Sequence, residues 1–240
     1  MKRDHRPYFI KRLCSRYEIW YADRFLRPQF ELLGRETTFM KPWYVEVNGG
    51  PVYLDDYANV IATSDNRVRF TVWTPEGEKG FIKIGKYALI CAGVRISAAR
   101  NITIGDNCMM ANRVYITDAD WHGIYDRAMF VGQSSPVILG NNVWLGDSAT
   151  VCKGVSIGDN SIIGAGAVVV KDIPPNVVAA GNPAVVLRHL DTQKPIQTRE
   201  DWFAVISALQ QEVKEKEKNE FKNNSLFDWL RSMVFPRKDD

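Results

Sequence analysis

Residues 139–173 read LGNNVW LGDSAT VCKGVS IGDNSI IGAGAV VVKDI. Cut into sixes, every block opens on an aliphatic residue: Leu139, Leu145, Val151, Ile157, Ile163 and Val169. A small residue follows five of them (Gly140, Gly146, Cys152, Gly158, Gly164), and four places on stand Val143, Ala149, Val155, Ser161, Ala167 and Ile173. A period of six fits neither the 3.6 of a helix nor the 2 of a simple strand. It fits short flat strands joined by tight corners, three to a triangular coil. The opening aliphatic should fill the interior of a corner. The small residue after it should permit the bend, with Gly favoured because it tolerates positive φ.

Working outward, Ile84, Ile90 and Ile96 keep the same beat, and Ile104, Met110 and Ile116 resume it after a two-residue slip. It then breaks until Leu139. The chain therefore reads as mainly β: a solenoid over residues 43–190 with an insertion at 117–136, a helical cap at 1–42, and a C-terminal helix and tail at 191–240. Stacked coils bury their faces only on one another, so the ends need caps. Val45, Val47, Val52, Leu54, Val60 and Ile61, then Val68, Phe70 and Val72, suggest irregular opening coils. Phe9, Leu13, Tyr17, Tyr21 and Phe25 recur every four residues among Lys11, Arg12, Arg16 and Arg24, which predicts an amphipathic helix over 8–26. Residues 200–219 predict a polar helix. The tail carries Leu226, Phe227, Trp229, Leu230, Met233, Val234 and Phe235 beside Arg231, Arg237 and Lys238. It suits docking on a neighbouring subunit or on a membrane surface, and the sequence leaves both open.

The net charge of +3, with 25% of residues charged, gives no reason to expect a nucleic-acid partner. The sequence holds no run of eighteen apolar residues and its basic start lacks an apolar signal core, so a cytoplasmic protein is expected, with peripheral contact at the inner membrane face as the extension. Cys14, Cys91, Cys108 and Cys152 lack metal-site spacing and read as packed free thiols.

Several motifs point to one family: ITIGDN at 102–107 running into CMMA, NVWLG at 142–146, GDNSIIGAG at 158–166, and KDIPPNVVAAGNP at 171–183 with Arg188 beyond. These resemble the hexapeptide-repeat acyltransferases, in particular the galactoside, maltose and polysaccharide O-acetyltransferases. The resemblance implies a left-handed parallel β-helix, a homotrimer with active sites between adjacent subunits, and acetyl-coenzyme A as co-substrate with no metal. It implies a sugar or glycolipid acceptor and a histidine base on or near the inserted loop.

Of His5, His122 and His189, only His122 lies in the insertion, in TDADWHGIYD at 117–126. A near-neutral base suits removal of a hydroxyl proton during attack on a thioester, and Asp118 or Asp120 would fix its tautomer. Asn112, Trp121, Tyr125, Asp126 and Arg127 are the acceptor candidates. The resemblance places Lys171 and Arg188 at coenzyme A phosphates and Trp144, Asp147 and Ala165 along the pantetheine arm. Where sugar enzymes carry a second basic residue and an Asn-rich acceptor turn, this chain has Val185 and Cys91-Ala92-Gly93, which argues against a simple galactoside enzyme. N-acetylation of an aminosugar nucleotide and a non-catalytic trimeric scaffold are the alternatives. A zinc hydratase on the same fold needs three ligating histidines, and His5 and His189 fall outside the central repeat.

Overall fold

A computed structural model describes residues 4–74 and 79–235. Tyr21–Arg199 forms one compact unit, and Met1–Trp20 with Glu200–Asp240 forms a second.

The larger unit is a parallel β-helix with three faces. The first face stacks Leu32–Leu33, Val52–Leu54, Phe81–Ile84, Asn101–Ile104, Val137–Leu139 and Ser156–Ile157. The second runs from Thr38–Met40 through Leu89–Ile90, Met109–Met110 and Trp144–Leu145 to Val177–Gly181, and Ala184–His189 closes it antiparallel. The third runs from Val45–Asn48 through Val68–Val72, Arg95–Ala98 and Tyr115–Thr117 to Val168–Val169.

The six-residue beat becomes three vertical columns. Ile84, Ile104, Leu139 and Ile157 are register partners on the first face, Ile90, Met110, Leu145 and Ile163 on the second, and Ile96, Ile116, Val151 and Val169 on the third. All twelve are buried, as are Val143, Ala149, Val155, Ser161, Ala167 and Ile173 between them. The period is a stacking rule, because each coil covers the apolar interior of the one before it. Coiling begins at Leu32, where the repeat is too degenerate to read from spacing.

One expectation about the corners fails. None of Gly85, Gly105, Gly140, Gly146, Gly158 and Gly164 has positive φ. That conformation falls two places later in the corners between the first and second faces, at Tyr87, Asn107, Asn142 and Asn160. The glycines are there for room. A Cβ on Gly105 would sit 2.6 Å from the Gly140 carbonyl oxygen, and one on Gly158 would sit 2.4 Å from the Pro175 nitrogen. Coils spaced as strands are, about 4.8 Å apart, leave no gap for a side chain at that position. The asparagines stabilise the same corner laterally: Asn142 Nδ2 donates to Asn160 Oδ1 at 3.0 Å, and Asn160 Nδ2 donates to Asn176 Oδ1 at 3.0 Å.

The expected 8–26 helix changes character at its end. The α-helix spans Tyr8–Tyr21 (α1), a π-turn covers Ala22–Leu26, and a short 3-10 turn covers Arg27–Gln29. Burial is confined to the last part: Ala22, Leu26 and Phe30 are buried, whereas α1 has no buried residue. The Phe30 ring meets Phe39 at 6.4 Å and Phe70 at 5.8 Å between centroids, covering the first coils. Phe70→Ala should therefore cost about 3–5 kcal/mol of stability, read as a lowered denaturant midpoint, because it opens a cavity under that cover. An unchanged midpoint would show that the cover does not depend on this ring.

The smaller unit joins α1 to three helices, Arg199–Ala208 (α2), Gln210–Glu220 (α3) and Leu226–Val234 (α4). Lys11 Nζ lies 2.5 Å from Glu217 and 4.2 Å from the centroid of the buried Phe221 ring. Asn224 Nδ2 donates to the carbonyls of Asp4 and Arg6. Ser225 caps α4, accepting from the Asp228 backbone N–H at 3.0 Å. Arg237 and Lys238 lie outside the described residues.

Candidate active site

From Ile84 to Leu139, both interruptions of the repeat leave at the corner between the third and first faces. The two-residue slip is Ala99-Arg100, and the insertion is the loop from 118 to 136, which follows the strand Tyr115–Thr117. Those two features are tied together. The Asp118 side chain is buried and accepts the backbone N–H of Ala99 at 2.6 Å and of Arg100 at 2.8 Å. Burial raises its carboxyl above the ordinary range, against the opposing pull of those donors. Further up, Ala119 and Ser134 form an antiparallel bridge, and Asp120 N donates to the Gln133 carbonyl at 2.8 Å. Lys153, one coil on at the same corner, meets the Asp120 carboxylate at 2.8 Å. Trp121 Nε1 donates to Tyr115 Oη and Thr117 Oγ1, each at 3.1 Å, so this ring holds the loop to the third face.

His122 stands exposed on this fastened base. Its Nδ1 is 3.3 Å from the Met129 carbonyl oxygen. A carbonyl only accepts, so this contact suits a ring with its proton on Nδ1. Neither expected aspartate is that partner: Asp118 is turned inward to the backbone and Asp120 is taken by Lys153. The tip beyond is open. Tyr125 is fully exposed, Arg127 is exposed, and Asp126 accepts the Ala128 N–H at 3.1 Å to shape a turn. Phe130 returns to pack on Trp73, with centroids 6.3 Å apart.

The cofactor candidates lie elsewhere on the coil. Trp144 is exposed on the second face between Met109 and Ile162. Asp147 and Ala165 occupy successive corners between the second and third faces, where Asn112 is also exposed. Asp147 accepts from the Ser148 hydroxyl at 2.7 Å and from Arg113 at 3.1 Å, and these two contacts hold its carboxyl below the usual range. Lys171 follows the last strand of the third face, on the His122 corner, and Arg188 is exposed on the closing strand opposite Val178. Among the described residues, no hydrogen bond or ion pair joins His122 to any of these five. A single chain thus presents the candidate base and most of the cofactor candidates on different sides of the triangle.

Sequence reasoning missed Arg113, Lys153 and the Met129 carbonyl. The first two could be found by counting coils, since each sits one coil from a partner. A backbone carbonyl carries no sequence mark.

Among the described residues, no cluster of His, Cys, Asp or Glu could hold a metal ion. Cys14, Cys91, Cys108 and Cys152 are free thiols, and burial pushes Cys108 up to about 12.

The bacterial transferase hexapeptide family, described by six repeats, matches residues 136–171. That match spans the stretch in which the six-residue beat is strictest. The chain is 47% identical over 92 residues to the galactoside O-acetyltransferase of Escherichia coli (strain K12), a match covering 38% of this chain and 45% of that enzyme. Among solved structures, it is similar to a hexapeptide-repeat acetyltransferase of Vibrio cholerae O1 biovar eltor, complexed with acetyl-coenzyme A. That likeness has 25% identity and a TM-score of 0.51, covering 71% of this chain and 78% of the other. An N-acyltransferase from Bacillus cereus shares the fold at 16% identity, with a TM-score of 0.57 and 81% and 96% of the two chains covered. The chain spans about half the length of the E. coli relative and 62% of one from Staphylococcus aureus (strain Mu50 / ATCC 700699).

Proposed function

We propose that this hexapeptide-repeat protein is an acetyl-coenzyme A-dependent O-acetyltransferase of a glycan or glycolipid hydroxyl, with His122 as general base. The observation that carries the reading is the His122 ring itself, exposed with its Nδ1 beside a backbone carbonyl and mounted on a loop anchored by Asp118, Trp121 and the Asp120–Lys153 pair. Such a ring presents Nε2 to an acceptor. Nε2 takes the hydroxyl proton as the oxygen forms a bond to the thioester carbonyl carbon. The carbon–sulfur bond then breaks, and the proton passes to the departing thiolate of coenzyme A. A backbone N–H of the coil suits the transient oxyanion. Lys171 and Arg188 would hold the coenzyme phosphates, with Trp144, Asp147 and Ala165 along its arm.

The separation of His122 from Trp144 and Arg188 within one chain supports a homotrimer in which neighbours complete each site. Sedimentation at rising protein concentration, with and without acetyl-coenzyme A, tests this: a stable trimer is expected, and an active monomer would contradict it. Free thiols suit a cytoplasmic setting.

The helical unit extends the reading. Leu226, Phe227, Leu230, Met233 and Val234 are exposed on α4 next to Arg231, and no helix among the described residues is long and apolar enough to cross a membrane. A short helix of this kind suits an anionic bilayer surface. Deleting residues 223–240 should release the protein from phosphatidylglycerol-containing vesicles. Failure of the full chain to sediment with such vesicles would end the membrane reading.

A further inference from the structure

Arginines gather on the third face and its corner with the second. Arg67, Arg69, Arg95 and Arg113 line a groove of about 430 Å³ with Ser64, Asn66 and Gly93. Arg69 and Arg95 are register partners on successive coils, so two like charges stand side by side, about a strand spacing apart. Carboxylates compensate them only in part. Glu46 is shared, meeting Arg67 at 2.5 Å and Arg69 at 2.6 Å, and the Arg67 contact, with that to Arg69, holds its carboxyl below the usual range. Asp147 takes one nitrogen of Arg113, and Asp65, in the groove wall, accepts from Asn66. Arg95 bonds to no carboxylate among the described residues; its guanidinium lies 4.4 Å from the centroid of the Tyr115 ring. A guanidinium has five donors in a planar fork, so most of those in this groove are unspent on protein acceptors.

A chain of side-chain contacts links the groove to the candidate base. Arg95 stacks on Tyr115, Tyr115 Oη accepts from Trp121 Nε1, and His122 is the next residue. Strand Tyr115–Thr117 and the corner before it separate Arg113 from the loop, a span of roughly 10–15 Å at about 3.3 Å per residue. A chain of sugars laid across the third face would reach both.

We propose that the arginine groove is the acceptor subsite and that the acceptor is an acidic glycan, its anionic group held by Arg95 with Arg67, Arg69 and Arg113 while a hydroxyl further along meets His122. This rests on the transferase reading and names its substrate class. Gly93 lines the groove, and Arg113 packs so closely on it that a Cβ there would sit 2.9 Å from the Arg113 Cγ.

The test is direct glycan binding by calorimetry, without acetyl-coenzyme A. The probes are an oligogalacturonate, its carboxyl-reduced neutral twin and a sulfated oligosaccharide of similar length. Acetyl-coenzyme A affinity is measured in parallel. Wild type should bind the carboxylated or the sulfated probe at least about tenfold more tightly than the neutral twin, with affinity falling as salt rises, and the two acidic arms say which anion is preferred. Arg67→Gln and Arg95→Gln should remove most of that preference, leaving melting temperature and acetyl-coenzyme A affinity unchanged. Equal binding of acidic and neutral probes, or no glycan binding, would overturn the proposal. So would arginine variants that lose coenzyme A instead, since the groove would then serve the cofactor. If acidic glycans bind and acetyl-coenzyme A does not, the groove stands and the transferase reading falls.

Discussion

Replacing His122 with alanine should lower acetyl transfer by roughly 10²–10⁴-fold, the range a positioned proton acceptor supplies. The melting temperature and acetyl-coenzyme A affinity should stay near wild type. The side chain is exposed and makes one 3.3 Å contact, so little packing is lost with it. The expected split is in turnover rather than in binding of either substrate, because a general base would act on the hydroxyl proton only as the new bond forms. Turnover within about threefold of wild type would remove His122 from the mechanism, whatever its place on the loop.

Asp118→Ala should do the reverse, costing stability first. The carboxylate holds two backbone N–H groups, and removing it leaves both without their acceptor, at about 1–3 kcal/mol for each buried group. A loss of about 2–5 kcal/mol in denaturant unfolding is expected. Asp118→Asn should also destabilise, because its amide can accept from one N–H but turns a donor toward the other. If Asp118 instead oriented His122, Asp118→Asn would cut turnover and leave stability intact. The pH dependence gives a second readout. Burial raises the Asp118 carboxyl in the folded state. The folded protein therefore keeps a proton that the unfolded chain releases near about pH 4. The stability linked to that proton is complete below the ordinary carboxylate range and is lost as pH rises through the raised value. Wild type should show this decline over the mildly acidic range, and Asp118→Ala should lack it.

The columns of the β-helix were legible because each hexad places one aliphatic residue where the stack must be dry, and Leu139, Leu145, Val151, Ile157, Ile163 and Val169 are all interior. The insertion was legible for the same reason, as a break in a strict period. The coils from Leu32 were not, since their corners vary in length and the beat drops out. Spacing alone does not show why the corner glycines are there: the requirement is closeness to the next coil, as at Gly105 and Gly158, while asparagine and tyrosine take the positive φ. At the candidate site, residue type exposed His122 because few histidines exist and one falls in the insertion. It could not expose the Met129 carbonyl, which any residue would supply. It also could not separate Asp118 from Asp120, whose side chains leave the same short segment toward the interior and toward Lys153. The arginine groove was hidden because its members lie far apart in sequence and meet only when coils stack.

Acetyl-coenzyme A titrated into the wild-type protein, with Lys171→Ala and Arg188→Ala beside it, tests the transferase account most directly. The account predicts saturable binding at one site per chain, weakened about tenfold or more by loss of either cation. Absence of binding to the wild-type chain would contradict it and leave a trimeric scaffold as the reading of this fold.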